Sequence, residues 1–156
     1  MSLQEVLLVG HSLLRWIVLV AGVAAFVRAV SGARAGRAWS DKDSKVLQAF
    51  IGIFDMQILL GLLMYVATSP LGVRMLQQGS ATMKDSVLRF FALEHIVGMI
   101  LASAILHVGS ARARRLGAAP KRQTRTAIVV GIGMAIILCS IPWPFFPYGR
   151  PLLRLG

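Results

Sequence analysis

Apolar residues fall along this chain in four blocks, Val6 to Val30, Val46 to Thr68, Val87 to Val108 and Thr126 to Trp143, separated by stretches where charged and polar residues collect. Each block is about 18 to 25 residues long, enough for an α-helix to cross a ~30 Å hydrocarbon core. Four such blocks joined by short polar segments predict an all-α protein, an integral membrane antiparallel four-helix bundle forming one domain over residues 1–156. The first block begins close to Met1, has Glu5 where a signal peptide carries basic residues, and ends without a small-residue cleavage site. It is expected to be a retained helix.

Punctuation between the blocks agrees with this division. Ser40-Asp41-Lys42-Asp43 offers N-cap residues and a negative first turn for the second helix, while Gly32, Gly36 and the Gly117 to Pro120 stretch are expected to break helices. The longer connection from Ser69 to Ser86 contains Val73 to Gln78, a candidate short helix lying in the membrane interface. After the fourth block, Ile141-Pro142-Trp143-Pro144-Phe145-Phe146-Pro147-Tyr148-Gly149-Arg150-Pro151 cannot stay helical, because its prolines lack N–H groups. This Pro- and aromatic-rich C-terminal tail is expected to leave the helix near Pro142 and fold over the outer membrane face, with Trp143 and Tyr148 at headgroup level. No internal repeat or low-complexity tract is present.

Composition supports the bilayer as solvent, with 56% hydrophobic residues, 15% charged residues and a mean hydropathy of +0.72. Seventeen Lys and Arg against six Asp and Glu give a net charge of +11, which in a soluble protein would suggest nucleic acid. Its distribution changes that picture. Arg28 at the end of the first block and Arg34, Arg37, Lys42 and Lys45 after it gather at the first connection, and Arg112, Arg114, Arg115, Lys121, Arg122 and Arg125 lie between the last two blocks. Those eleven face only five on the other side, Arg74, Lys84, Arg89, Arg150 and Arg154, with Arg15 inside the first block. The positive-inside rule then puts the two basic loops in the cytoplasm and both termini outside, with membrane lipid headgroups, not nucleic acid, as the partner of the basic clusters. The single cysteine, Cys139, excludes an internal disulfide, a Cys-based zinc site and covalent haem attachment.

Ionisable and polar residues inside the blocks are costly in hydrocarbon and therefore informative: His11, Arg15, Asp55, Gln57, Glu94, His95 and His107. In a bundle of alternating direction the first and third helices run the same way. By helical rise His11 then lies about 8 Å below Val6 and His95 about 12 Å below Val87. Two imidazoles at one depth on different helices match the needs of a b-type haem, whose iron takes one axial nitrogen from each side. Ala92, Gly98, Met99 and Ala102 share a face with His95 and would let a flat ring approach. Arg15, one turn from His11, and Arg89 are candidates to hold the haem propionates, since a guanidinium can donate two hydrogen bonds to a carboxylate. The competing account makes the histidines hydrogen-bonded packing residues and closes an ion pair between Arg15 and Glu94.

His107 lies about 18 Å along its helix from His95 and is rotated about 120° away, so it is expected to be interfacial and not a second haem ligand. Asp55 is expected either to pair with Arg15 or, unpaired, to handle protons or bond a quinone. Tyr65 and Trp16 are expected to be interfacial or packing aromatics, and the methionines Met56, Met64, Met99 and Met134 to be packing residues. No P-loop, G-x-G-x-x-G, H-E-x-x-H or G-x-S-x-G occurs, and no block contains a lysine for a retinal Schiff base.

Several segments resemble a known group: His11-Ser12-Leu13-Leu14-Arg15-Trp16, Asp55 to Tyr65, Arg89-Phe90-Phe91-Ala92-Leu93-Glu94-His95 and Ile141-Pro142-Trp143-Pro144-Phe145. Together they resemble small bacterial four-helix membrane proteins often labelled cytochrome b, over nearly the whole chain. The resemblance implies a haem-associated protein of the bacterial cytoplasmic membrane with His11 and His95 as haem iron ligands. Relatives in that group carry a histidine near the position of Asp55, which this chain lacks.

The expected function is therefore a membrane electron carrier with one haem b near the outer face, exchanging electrons with a quinol, other subunits of a membrane complex or an outer cytochrome. It is not expected to be a complete enzyme. The alternatives are an accessory subunit of a larger membrane complex, without haem, and a proton-coupled carrier built on Asp55, Arg15 and Glu94.

Overall fold

The computed structural model describes residues 2–153, so Arg154 and the terminal residues Met1 and Gly156 lie outside the described residues. Within them the chain is helical and has no strand. Its elements are α1 (Leu3–Arg34), α2 (Asp41–Leu63) running on through a π-helical turn Met64–Thr68, a 3₁₀ turn Val73–Gln78, and the short α3 (Ser80–Lys84) and α4 (Ser86–Arg89). A second π-helical turn, Phe90–Glu94, leads into α5 (His95–Arg114), and α6 (Lys121–Cys139) follows. Four continuous stretches are long and apolar enough to cross a membrane, Leu3–Arg34, Asp41–Thr68, Ser86–Arg114 and Lys121–Cys139.

The ends of these helices follow local chemistry. Ser2 and Ser40 open α1 and α2 with capping boxes, each accepting from the N3 backbone N–H while Glu5 or Asp43 reaches back. Gly32 does not break α1 as expected. It is buried where a Cβ would strike Gln123, and the helix instead stops before Gly36, whose φ of +60° suits glycine. Gly117, at φ +59°, lies in the turn that follows α5. Val73–Gln78 winds as a 3₁₀ turn. The last helix ends at Cys139, a few residues before the sequence boundary. Pro142 and Pro144 explain this: they supply no N–H to the carbonyls of Leu138 and Ser140 four residues back. Those carbonyls accept hydrogen bonds from elsewhere, Leu138 O from Trp143 Nε1–H at 2.8 Å and Ser140 O from His95 Nδ1–H.

α1 packs against α2 and α6, α5 packs against α6, and α2 meets α5 more lightly. The interior holds Val18, Phe50, Phe54, Leu106, Val130 and Ile137. It also buries polar side chains such as Gln123, Thr126 and Ser110, while Val20 and Leu59 on the outside are 70% and 64% exposed. Apolar residues inside and out leave little hydrophobic preference for helix association in lipid, so close approach at small residues carries the packing. A Cβ on Gly133 would lie 2.8 Å from Leu106 Cδ2, and one on Gly109 would lie 2.6 Å from Val129 Cγ1. Gly133→Val is expected to cost about 1–3 kcal/mol by overpacking this fully buried contact, seen as a lower melting temperature of the solubilised protein.

The α1–α2 and α5–α6 connections meet at one end of the molecule, where Trp39 N–H donates to Ala118 O at 2.9 Å. Beside them Asp43, its side chain only 2% exposed, gathers much of the local charge. Arg37 reaches it with two hydrogen bonds of 2.8 and 3.0 Å, Arg28 lies 2.7 Å away, and Gln123 donates at 2.9 Å from α6. Arg122 covers the Trp39 ring at 4.3 Å. Three of the basic residues expected to meet lipid headgroups thus also tie the two connections to the helix ends.

Candidate functional site

At the opposite end a cavity of about 400 Å³ lies among α1, α2, α5 and the segment after α6, within the size range of small-molecule sites. His11 and His95 both line it, with ring centroids 6.3 Å apart and planes crossed at 73°. Imidazole nitrogens lie roughly 1.1 Å from the ring centre, so the two rings bring nitrogens no closer than about 4 Å. That exceeds a ~3 Å hydrogen bond. The rings therefore do not bond each other directly.

The surroundings orient each ring. His95 Nδ1 lies 2.7 Å from Ser140 O, the carbonyl that Pro144 leaves without a helical donor. A carbonyl only accepts, so Nδ1 carries the proton, and the lone pair of the neutral ring sits on Nε2, the usual arrangement behind a ligating histidine. Gly98 allows α5 to come this close to α6, because a Cβ there would collide with Ser140 Oγ. His11 Nδ1 is buried and has no hydrogen-bond partner. A Cβ on Gly61 would lie 3.1 Å from His11 Cε1, and Gln57 Nε2 donates to the His11 carbonyl at 3.0 Å, pinning α2 against this turn of α1.

Two π-helical turns frame the cavity, and Tyr65 in the first donates its hydroxyl to Ala92 O in the second at 2.7 Å. Such turns cluster at functional sites, and here one immediately precedes His95 and sets the direction in which it points. Phe90 packs between the His95 ring at 5.8 Å and the Tyr148 ring, stacked at 3.8 Å, which ties the tail to the site.

The cations at the cavity differ from expectation. Arg15 lines it, but pairs with neither Glu94 nor Asp55. Its Nη2 donates to Leu152 O, which also accepts from Trp16 Nε1 at 3.0 Å, and its Nε is buried without a partner. Arg89 is not among the lining residues. It bonds Glu94 at 2.6 Å on the surface, a pairing close in sequence that leaves it poorly placed for a haem propionate. Arg150 stands at the cavity instead, with its guanidinium 4.7 Å from the Phe91 ring centre. Gln57 was noted from the sequence only as a costly polar residue in its block, and Tyr65 and Arg150 were not read as site residues. The prolines that free the Ser140 carbonyl were the available signal that something must donate there.

Asp55 bonds His107 Nε2 at 2.9 Å and not Arg15, because the two face one another across the light α2–α5 contact, away from the cavity. No group of three or more His, Cys, Asp or Glu that could hold a bare metal ion occurs among the described residues. A group needing two imidazoles and carrying its own remaining ligands fits the observed donors: a buried nitrogen without a partner, a second nitrogen left with its lone pair, and guanidinium groups at the same cavity. The chain matches no protein-family model, no curated protein and no solved structure.

Proposed function

We propose that this protein holds one haem b between His11 and His95 and serves as an electron carrier of the bacterial cytoplasmic membrane. The observation that carries this proposal is the pair itself: two imidazoles from different apolar helices, 6.3 Å apart, at one cavity and not bonded to each other. Haem b supplies one-electron chemistry between ferric and ferrous iron. His11 and His95 would hold the iron, the Ser140 carbonyl holds the His95 tautomer, and Arg15 and Arg150 would offer positive charge to the carboxylates. Phe54, Ile58, Met99 and Ile137 give the cavity apolar walls. Purified protein should show a Soret band that shifts on dithionite reduction and a pyridine haemochrome corresponding to one haem per chain. A colourless protein that takes up no added haemin would leave the accessory-subunit alternative.

The bundle is proposed to be antiparallel, with both termini and the tail outside. The meeting of the α1–α2 and α5–α6 connections at one end supports this, as does the charge of those connections. The electron partners would then be a quinol or a subunit of a membrane complex and an outer cytochrome. Cysteine at Ser2, in a Cys139→Ser background, is expected to react with a membrane-impermeant maleimide in cells stripped of any outer barrier, and cysteine at Ala118 is not. Labelling at Ala118 alone would invert the topology.

A further inference from the structure

We infer that the face shared by α2 and α5 around Asp55 and His107 is the interface of a two-fold homodimer within the membrane. Asp55 stands near the middle of the Asp41–Thr68 span, so it falls at membrane depth. Yet the pair points outward, with side chains 40% and 52% exposed. Ionisable groups in a span face protein or water, because lipid hydrocarbon offers them no partner. Met56 and Leu59, at 61% and 64% exposed, continue the outer side of α2 beside the pair as apolar surface. Protein covers it.

The charge pattern selects a second copy of this chain as that protein. The bond within the pair uses Asp55 Oδ1 and His107 Nε2, which leaves one carboxylate oxygen and one ring nitrogen for another partner. When the pair is ionic, these are an acceptor and a donor side by side. A two-fold axis through the face sets Asp55 of each copy against His107 of the other and closes a ring of four alternating charges. Such an isologous contact is the commonest symmetry of oligomers. Gly52, one turn from Asp55, is exposed and a Cβ there would meet nothing within 4 Å, so it is free to admit a neighbouring helix.

In membranes of a Cys139→Ser strain, Met56→Cys treated with copper phenanthroline is expected to give a disulfide-linked species of twice the chain mass. Val20→Cys on α1, 70% exposed, is expected to stay monomeric. Gly52→Ile adds bulk to the interface without touching the chain's own packing. It should leave the melting temperature of the detergent-solubilised monomer unchanged and lower the dimer-to-monomer ratio about ten-fold, as should Asp55→Asn with His107→Gln. Photobleaching of singly labelled protein in dilute liposomes should show two steps. Equal cross-linking from Val20→Cys, an adduct of any other mass, or single bleaching steps throughout would overturn the proposal. None of these readouts depends on haem, so this interface and the haem site stand or fall separately.

Discussion

Replacing His11 or His95 with alanine is expected to reduce the haem of the purified protein to background, while His107→Ala retains it. The first two residues face each other at one cavity, whereas His107 is held by Asp55 on the outside of the bundle. Pyridine haemochrome content per chain measures this, with helical circular dichroism confirming that each variant is folded. His11 lends itself to a clean test: its Nδ1 has no protein partner, so its removal breaks no hydrogen bond from that nitrogen. Arg15→Leu should lower the midpoint potential, because loss of a positive charge near the iron disfavours the electron-rich ferrous state. Adding Glu94→Gln or Asp55→Asn should restore nothing, since those acids bond Arg89 and His107. Arg89→Leu should leave the potential unchanged. Full haem retention in both His11→Ala and His95→Ala would end the assignment, and loss in His107→Ala alone would move it to the α2–α5 face.

Asp43→Ala should be among the most destabilising single substitutions outside the cavity, by roughly 3–5 kcal/mol, because it strips a buried carboxylate from cations and donors arranged around it. Arg28, Arg37, Ser40 and Gln123 all reach that carboxylate, joining α1, the first connection, α2 and α6 at one point. Arg37→Ala should cost clearly less, since its side chain is 38% exposed and water can solvate what remains. Arg28→Ala added to Asp43→Ala should cost less than the sum of the two, because it removes a guanidinium that has lost its counter-charge. Thermal melts of the four proteins in one detergent give the cycle. An Asp43→Ala melt within a degree of the parent would show that the cluster is surface decoration.

The sequence pattern located the four apolar stretches, because crossing a hydrocarbon layer demands a run of about 20 apolar residues whatever the neighbouring helices do. It also placed His11 and His95 near one level, since helical rise per residue is constant and the two were counted from the same end. Counting could not show the π-helical turn before His95, which changes the direction of a side chain without changing the composition of its helix. Partner choice was likewise invisible. Arg89 bonds the nearby Glu94, Arg15 reaches the tail carbonyl of Leu152, and Asp55 meets His107, where any acid could have been matched with any base. Rotation about each helix axis and the order of helices around the bundle decide those contacts, and both arise from packing at small residues such as Gly98 and Gly133. Sequence alone thus determined depth along each helix, whereas the tertiary structure decided which groups face each other there, because an ionisable side chain in a bundle bonds whatever the packing turns towards it.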